Sequence, residues 1–166
     1  MTTRRQFLAG VGAGLAALAM PRLAAQTRPR PNLIFILADD LGWMDTNAYG
    51  STFYETPHLD ALMARGLRFT QAYATAPTTL PSHASMLSGL YPGEHGVHEN
   101  GRHLSERVPL VAERLRELGY ATAAFVSGFP LKSPFGLARG FDLYDDELDA
   151  GKTERSARET TDRALA

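Results

Sequence analysis

The run Thr78-Thr79-Leu80-Pro81-Ser82-His83-Ala84-Ser85-Met86-Leu87-Ser88-Gly89-Leu90-Tyr91-Pro92 constrains this chain more than any other segment. Pro81 lacks an N–H, and its φ is already suited to a first helical turn. Ala84, Met86 and Leu87 continue the helix until Gly89 and Pro92 stop it. The pattern therefore predicts a helix with the Thr79 hydroxyl at its mouth. Unpaired backbone N–H groups and the positive end of the helix dipole gather there, and both favour anions and a developing alkoxide.

About forty residues earlier, Pro31-Asn32-Leu33-Ile34-Phe35-Ile36-Leu37-Ala38 leads into Asp39 and Asp40. A continuous apolar, β-branched run reads as a strand buried on both faces, as in a parallel sheet. Ligands of α/β sheets collect at the carboxyl ends of strands. Two adjacent carboxylates there repel unless a cation neutralises them, and hard divalent ions take such oxygens. The competing reading is local: Asp-Asp-Leu-Gly is also good turn chemistry.

The helix frame, read from Thr79 to Pro92, resembles the signature of the sulfatases, a family within the alkaline-phosphatase superfamily. That signature runs Cys/Ser-x-Pro-Ser/Ala-Arg, a small residue, then Ser-Leu-Leu-Thr-Gly-x-Tyr-Pro. The resemblance implies that Asp39 and Asp40 bind an active-site metal together with residue 79. Ca2+ is the favoured ion, with Mg2+, Mn2+ or Zn2+ as alternatives. It also implies a catalytic set of Thr79, His83 and His95, the last matching the family's Tyr-Pro-x-x-His-Gly stretch. Two positions depart from the signature. The family oxidises its first residue to formylglycine, but Thr79 has neither the thiol nor the primary alcohol this needs, so no formylglycine is expected. The family's arginine is His83 here, which replaces a fixed charge by a titratable group.

The intervening segment supports the same frame. Thr56 suits an N-cap, Pro57 the first helical position and Gly66 the residue after the end, with Leu59, Leu62 and Met63 at helical spacing. His58 reads as a helix-start residue. Leu67 to Tyr73 alternates as a short strand, Val108 to Leu118 has helical spacing closed by Gly119, and Tyr120 to Val126 reads as the next buried strand. The expected fold class is α/β, a three-layer α/β/α sandwich on a mostly parallel sheet. His95, His98 and His103 are too irregularly spaced for a zinc site. Lys132, in the loop after the second buried strand, reads best as a solvated lysine.

Composition excludes several classes. The chain has 166 residues, 44% hydrophobic and 21% charged, with net charge −1. That is an ordinary globular balance with no electrostatic case for nucleic acid. Without cysteine it has no disulfide, thiolate or zinc-thiolate chemistry.

Residues 1–25 read as an export signal: Arg4-Arg5-Gln6-Phe7-Leu8, a small and apolar run through Met20, then Arg22 and Ala24-Ala25. The paired arginines resemble the twin-arginine signal, a receptor-read address that implies the twin-arginine export machinery as partner and a periplasmic or secreted product. A membrane anchor is the alternative, but the segment is short and rich in Gly and Ala, so no stable anchor is expected. Loss of Arg4, Arg5 and Arg22 leaves 14 basic against 18 acidic residues, about −4. Residues 26–31 form a linker, and 32–166 the N-terminal part of a longer catalytic domain, since the chain stops inside a helical segment. The expected function is sulfate ester hydrolysis on a small anionic substrate. The alternative is phosphoester or phosphonate ester hydrolysis with Thr79 as direct nucleophile. A non-catalytic binding protein is the remaining class, disfavoured by the surviving carboxylates and hydroxyl.

Overall fold

A computed structural model describes residues 30–166, so the segment read as an export signal and most of the expected linker lie outside the described residues. Residues up to Ala38 and residues from Asp39 onward form two separate units. In the first, the run predicted as a buried strand forms no ladder, and Ile34 and Ile36 are 84% and 80% exposed. A strand is a relation between two backbones, and among the described residues none pairs with this run. The predicted strand at Leu67 to Tyr73 is corrected for the same reason. It carries no ladder, its side chains are exposed, and Tyr49 Oη donates to the Phe69 carbonyl at 2.7 Å.

The second unit is built around α2 (Thr79–Ser88), preceded by α1 (Pro57–Arg65) and followed by the short α3 (Pro92–His95) and by α4 (Val111–Glu117). Then come β1 (Ala123–Phe125), β2 (Leu143–Asp145) and α5 (Ala157–Leu165). Leu80 and Ala84 of α2 are completely buried with Val97 and Leu104, and Val108, Leu110, Leu131 and Leu137 complete the core. Burying one such leucine stabilises by about 1.5–3 kcal/mol, so the core holds α2 rigidly. Gly89 ends α2 with φ +73°, its N–H donating to the Ser85 carbonyl at 2.8 Å. That is the left-handed close expected of glycine.

Strands β1 and β2 are parallel, with Ala123, Ala124 and Phe125 opposite Leu143, Tyr144 and Asp145. The α/β class with a parallel sheet is thus present. Thr122 starts the ladder by donating its hydroxyl to the Gly140 carbonyl at 2.7 Å and accepting from the Asp142 N–H at 3.0 Å. Beyond β1, Gly128 bridges Glu154 in antiparallel fashion and Arg155 N–H donates to the Ser127 carbonyl at 2.7 Å. This brings α5 against the sheet, where Ser156 and Glu159 form a reciprocal capping box. Helix α4 starts three residues later than its periodicity predicts, because Glu113 Oε2 accepts from Leu110 N–H at 2.8 Å and fixes the start there.

Candidate active site

The site forms where the turn at Asp39-Asp40 meets the first residue of α2. Asp40 has φ +54°, a left-handed conformation that a short polar residue tolerates better than most. The turn chemistry read locally is therefore real, and it does not compete with a role in the site. Asp39 reaches across 40 residues, its Oδ2 accepting from Thr79 Oγ1 at 3.1 Å. Asp39 and Asp40 are exposed and Thr79 is half-buried, so the Asp39–Thr79 contact at the helix mouth is open to solvent.

Helix geometry places His83 one turn below Thr79. Its Nδ1 lies 2.7 Å from the Thr79 carbonyl, so that nitrogen carries the proton and donates. Burial pushes His83 below the usual histidine range, while the bond to Thr79 and the negative charge of Asp39 offset part of the effect. His83 thus braces the Thr79 carbonyl, with burial favouring its neutral ring.

His95 occupies a different place. It is 3% exposed, its Nε2 is 3.0 Å from Ser85 Oγ, and its Nδ1 accepts from Val97 N–H at 3.1 Å. Both ring nitrogens are committed inside the protein. Burial, then the neighbouring His98, lowers its pKa and favours the neutral ring that this pairing requires. That arrangement fits a strut between α2 and its following loop better than a proton carrier. Among the described residues no three His, Asp or Glu side chains converge. The structure brings together Asp39, Thr79 and His83, with Asp40 adjacent in sequence.

Two further participants, Asn100 and Ser85, have partners that the sequence does not name. Asn100 Oδ1 accepts from Leu80 N–H at 2.8 Å, 20 residues away. Ser85 falls on a serine of the family signature, which does not show its contact with His95 Nε2 at 3.0 Å. Asn100 sits in Glu99-Asn100-Gly101, where turn chemistry already accounts for an asparagine.

The Asp39 carboxylate and the Thr79 hydroxyl at the helix mouth, with the Asp40 carboxylate next in sequence, are hard oxygens that fit part of a divalent cation's shell. Ca2+ takes about 6–8 oxygens, so these residues fit a portion of that shell.

Comparison with known proteins identifies the family and the fold. The sulfatase family model matches residues 31–166. An N-acetylgalactosamine-6-O-sulfatase of Bacteroides thetaiotaomicron is 42% identical over 102 residues, 58% of this chain and 20% of that protein. Human arylsulfatase A is 39% identical over 128 residues, 74% of this chain and 23% of that protein. The chain therefore spans about a fifth of the length of such relatives. Among solved structures, a protein in complex with its substrate D-glucosamine-2-N,6-O-disulfate superposes with TM-score 0.62 at 29% identity, over 70% of this chain and 23% of that one. The phosphonate monoester hydrolase of Agrobacterium radiobacter gives TM-score 0.52 at 28% identity, over 60% of this chain and 22% of that one. These neighbours place the fold in the alkaline-phosphatase-like superfamily, whose sulfatases are generally metal-dependent. The chain belongs to the sulfatase family.

Proposed function

We propose that this chain carries the nucleophile-bearing part of a hydrolase for small anionic esters, with sulfate esters as the first substrate class. The observation that carries this reading is Thr79 Oγ1 donating to Asp39 Oδ2 at 3.1 Å at the first residue of α2. The names of the relatives support sulfate as the group transferred.

Asp39, Asp40 and Thr79 are the residues that would hold one divalent cation, Ca2+ being favoured. When bound, such an ion supplies positive charge that favours a deprotonated nucleophile and stabilises the ester's anionic oxygens. The remaining work falls to the chain. Asp39 holds the Thr79 proton directed at its Oδ2, which exposes the hydroxyl lone pairs for attack on the ester centre. His83 anchors the Thr79 carbonyl and keeps the backbone of the nucleophile still. As the Thr79 oxygen bonds to the central atom, its proton passes to Asp39. The bond to the leaving oxygen breaks with its electron pair going to that oxygen, which takes up the proton and departs as the alcohol. Water then cleaves the Thr79 ester and regenerates the hydroxyl.

One observation favours the second reading. Residue 79 is threonine, so no formylglycine forms, and a sulfated threonine has no hemiacetal hydroxyl to expel sulfate. A phosphorylated threonine can be resolved by attack of an activated water at phosphorus, with no hemiacetal hydroxyl needed, and the likeness to the phosphonate monoester hydrolase points the same way. Turnover of 4-nitrophenyl sulfate, 4-nitrophenyl phosphate and a phenylphosphonate ester by the full-length protein ranks the two. Asp39→Asn with Asp40→Asn should abolish bound metal and turnover together. Unchanged metal content by elemental analysis would move the metal site elsewhere.

Residues 1–25 are proposed to direct export of the folded precursor through the twin-arginine machinery, with cleavage near Ala25. Changing Arg4 and Arg5 to Lys should strand uncleaved precursor in the cytoplasm; normal periplasmic yield would sink the idea.

A further inference from the structure

The first turn of α2 is capped from outside itself. A helix usually caps its N2 or N3 N–H with the N-cap side chain. Thr78 occupies the N-cap position and makes no such bond, and its Oγ1 is buried without a hydrogen-bond partner. The N3 residue is Pro81, which has no N–H. What remains is the N2 donor, Leu80 N–H, and Asn100 Oδ1 takes it at 2.8 Å.

The peptide unit involved lies between Thr79 and Leu80. Its carbonyl accepts from His83 Nδ1 at 2.7 Å, and its N–H donates to Asn100. One peptide plane, the one that fixes ψ of Thr79, is thus held at both ends by side chains. The loop that delivers Asn100 is itself well seated. His95 and Val97 before it and Leu104 after it are buried, and His95 is tied to Ser85 in the middle of α2. Gly96 and Gly101 take φ of +77° and +82°, so the chain turns tightly on either side of Asn100.

We propose that Asn100 is a positioning residue for Thr79, setting the direction of the Thr79 hydroxyl through the Thr79–Leu80 peptide. The proposal rests on the reading of Thr79 as nucleophile. It also explains the residue type. Asn and Asp cap about equally well, but an aspartate would add a third carboxylate to Asp39 and Asp40 where an anionic ester reacts.

The test uses the full-length protein with Asn100→Ala, Asn100→Asp and Thr79→Val. It measures Leu80 amide exchange, plus kcat and KM on 4-nitrophenyl sulfate or phosphate, whichever the wild type turns over. Asn100→Ala should speed Leu80 exchange about tenfold or more and lower kcat about tenfold, with KM nearly unchanged. A merely structural cap would leave kcat of the folded enzyme intact. Asn100→Asp should restore Leu80 protection and most of kcat while raising KM for the anion. Faster Leu80 exchange with wild-type kcat overturns the proposal. So does lost turnover with unchanged Leu80 exchange, since Asn100 would then act on the substrate directly. Wild-type turnover by Thr79→Val would remove the nucleophile reading and the proposal with it, while Leu80 exchange still reports separately on the cap.

Discussion

Ser85 Oγ and His95 Nε2 lie 3.0 Å apart in a buried contact that joins the middle of α2 to the loop behind it. Because His95 Nδ1 accepts from Val97 N–H, the proton must sit on Nε2, and the pair works only with a neutral ring. Protonation would set two N–H donors against each other at Val97.

That requirement sets a pH dependence. His95 titrates below its usual range in the fold, because burial first and His98 second disfavour the charged form. The unfolded chain therefore binds more protons than the folded one below about pH 6.5, so stability falls as pH drops through that region. His83 contributes with the same sign. Chemical denaturation at pH 7.5 and 5.5 should show lower stability at 5.5. His95→Gln should be less stable at both values, yet with a smaller difference between them. An unchanged difference would mean that His95 does not titrate with folding.

A second acid window belongs to Asp145. Burial alone pushes its carboxyl up, but hydrogen bonds from Arg163 and Arg155, with the Arg155 charge, hold it below the usual carboxylate range. Its stabilisation is present above about pH 3.9 and is lost as pH falls through the lower folded value. Arg155 is 7% exposed, donates to Asp145 Oδ1 at 2.9 Å, and also reaches the Val126 and Asp145 carbonyls. Arg155→Met should cost about 3 kcal/mol, since it removes the buried guanidinium and leaves the half-buried Asp145 carboxylate with Arg163 and the Glu147 N–H as its remaining partners. A loss under 1 kcal/mol in urea unfolding would show that Arg163 compensates.

Gly140 should tolerate no side chain. It holds φ +87°, and a Cβ there would lie 2.1 Å from the Glu113 backbone nitrogen at the start of α4. Gly140→Ala combines a left-handed penalty with a backbone clash, so a loss of about 3 kcal/mol or more is expected. A thermal midpoint within a degree or two of wild type would contradict the packing of α4 on this turn.

What the sequence made legible follows from where each signal resides. The helices could be read because their information is local: Pro57 and Gly66 bracket α1, and Pro81 and Gly89 shape α2. Strands were less legible, because a strand needs a partner that its own residues do not name. Ala123–Phe125 found one in Leu143–Asp145, whereas the equally apolar run at Leu33 to Leu37 is exposed. The site divided the same way. Asp39 and Thr79 were visible as residue types at a strand-like end and a helix mouth. Asn100 was hidden because its bond to Leu80 spans 20 residues, and a turn already explained it. His95 was visible as a histidine, but only its two buried partners show that its ring is internally engaged.

Thr79 provides the sharpest test. It is the first residue of α2, and its hydroxyl donates outward to Asp39 instead of capping its own helix. Its β-branch limits χ1, which helps keep the oxygen on that side. If Thr79 serves only structure, deleting its oxygen removes one exposed hydrogen bond and costs about 1 kcal/mol with no effect on chemistry. Thr79→Val keeps the shape and removes the oxygen. Under the nucleophile reading, this variant of the full-length protein folds with nearly wild-type stability and loses about three orders of magnitude or more in turnover. Thr79→Ser restores an oxygen without the χ1 restriction and should recover part of the activity. Rapid quench of the wild type with 4-nitrophenyl phosphate should trap a phosphate on residue 79, since attack there precedes attack by water. Substantial turnover by Thr79→Val, with no trapped intermediate in the wild type, would make water the nucleophile and leave Thr79 a partner of Asp39 alone.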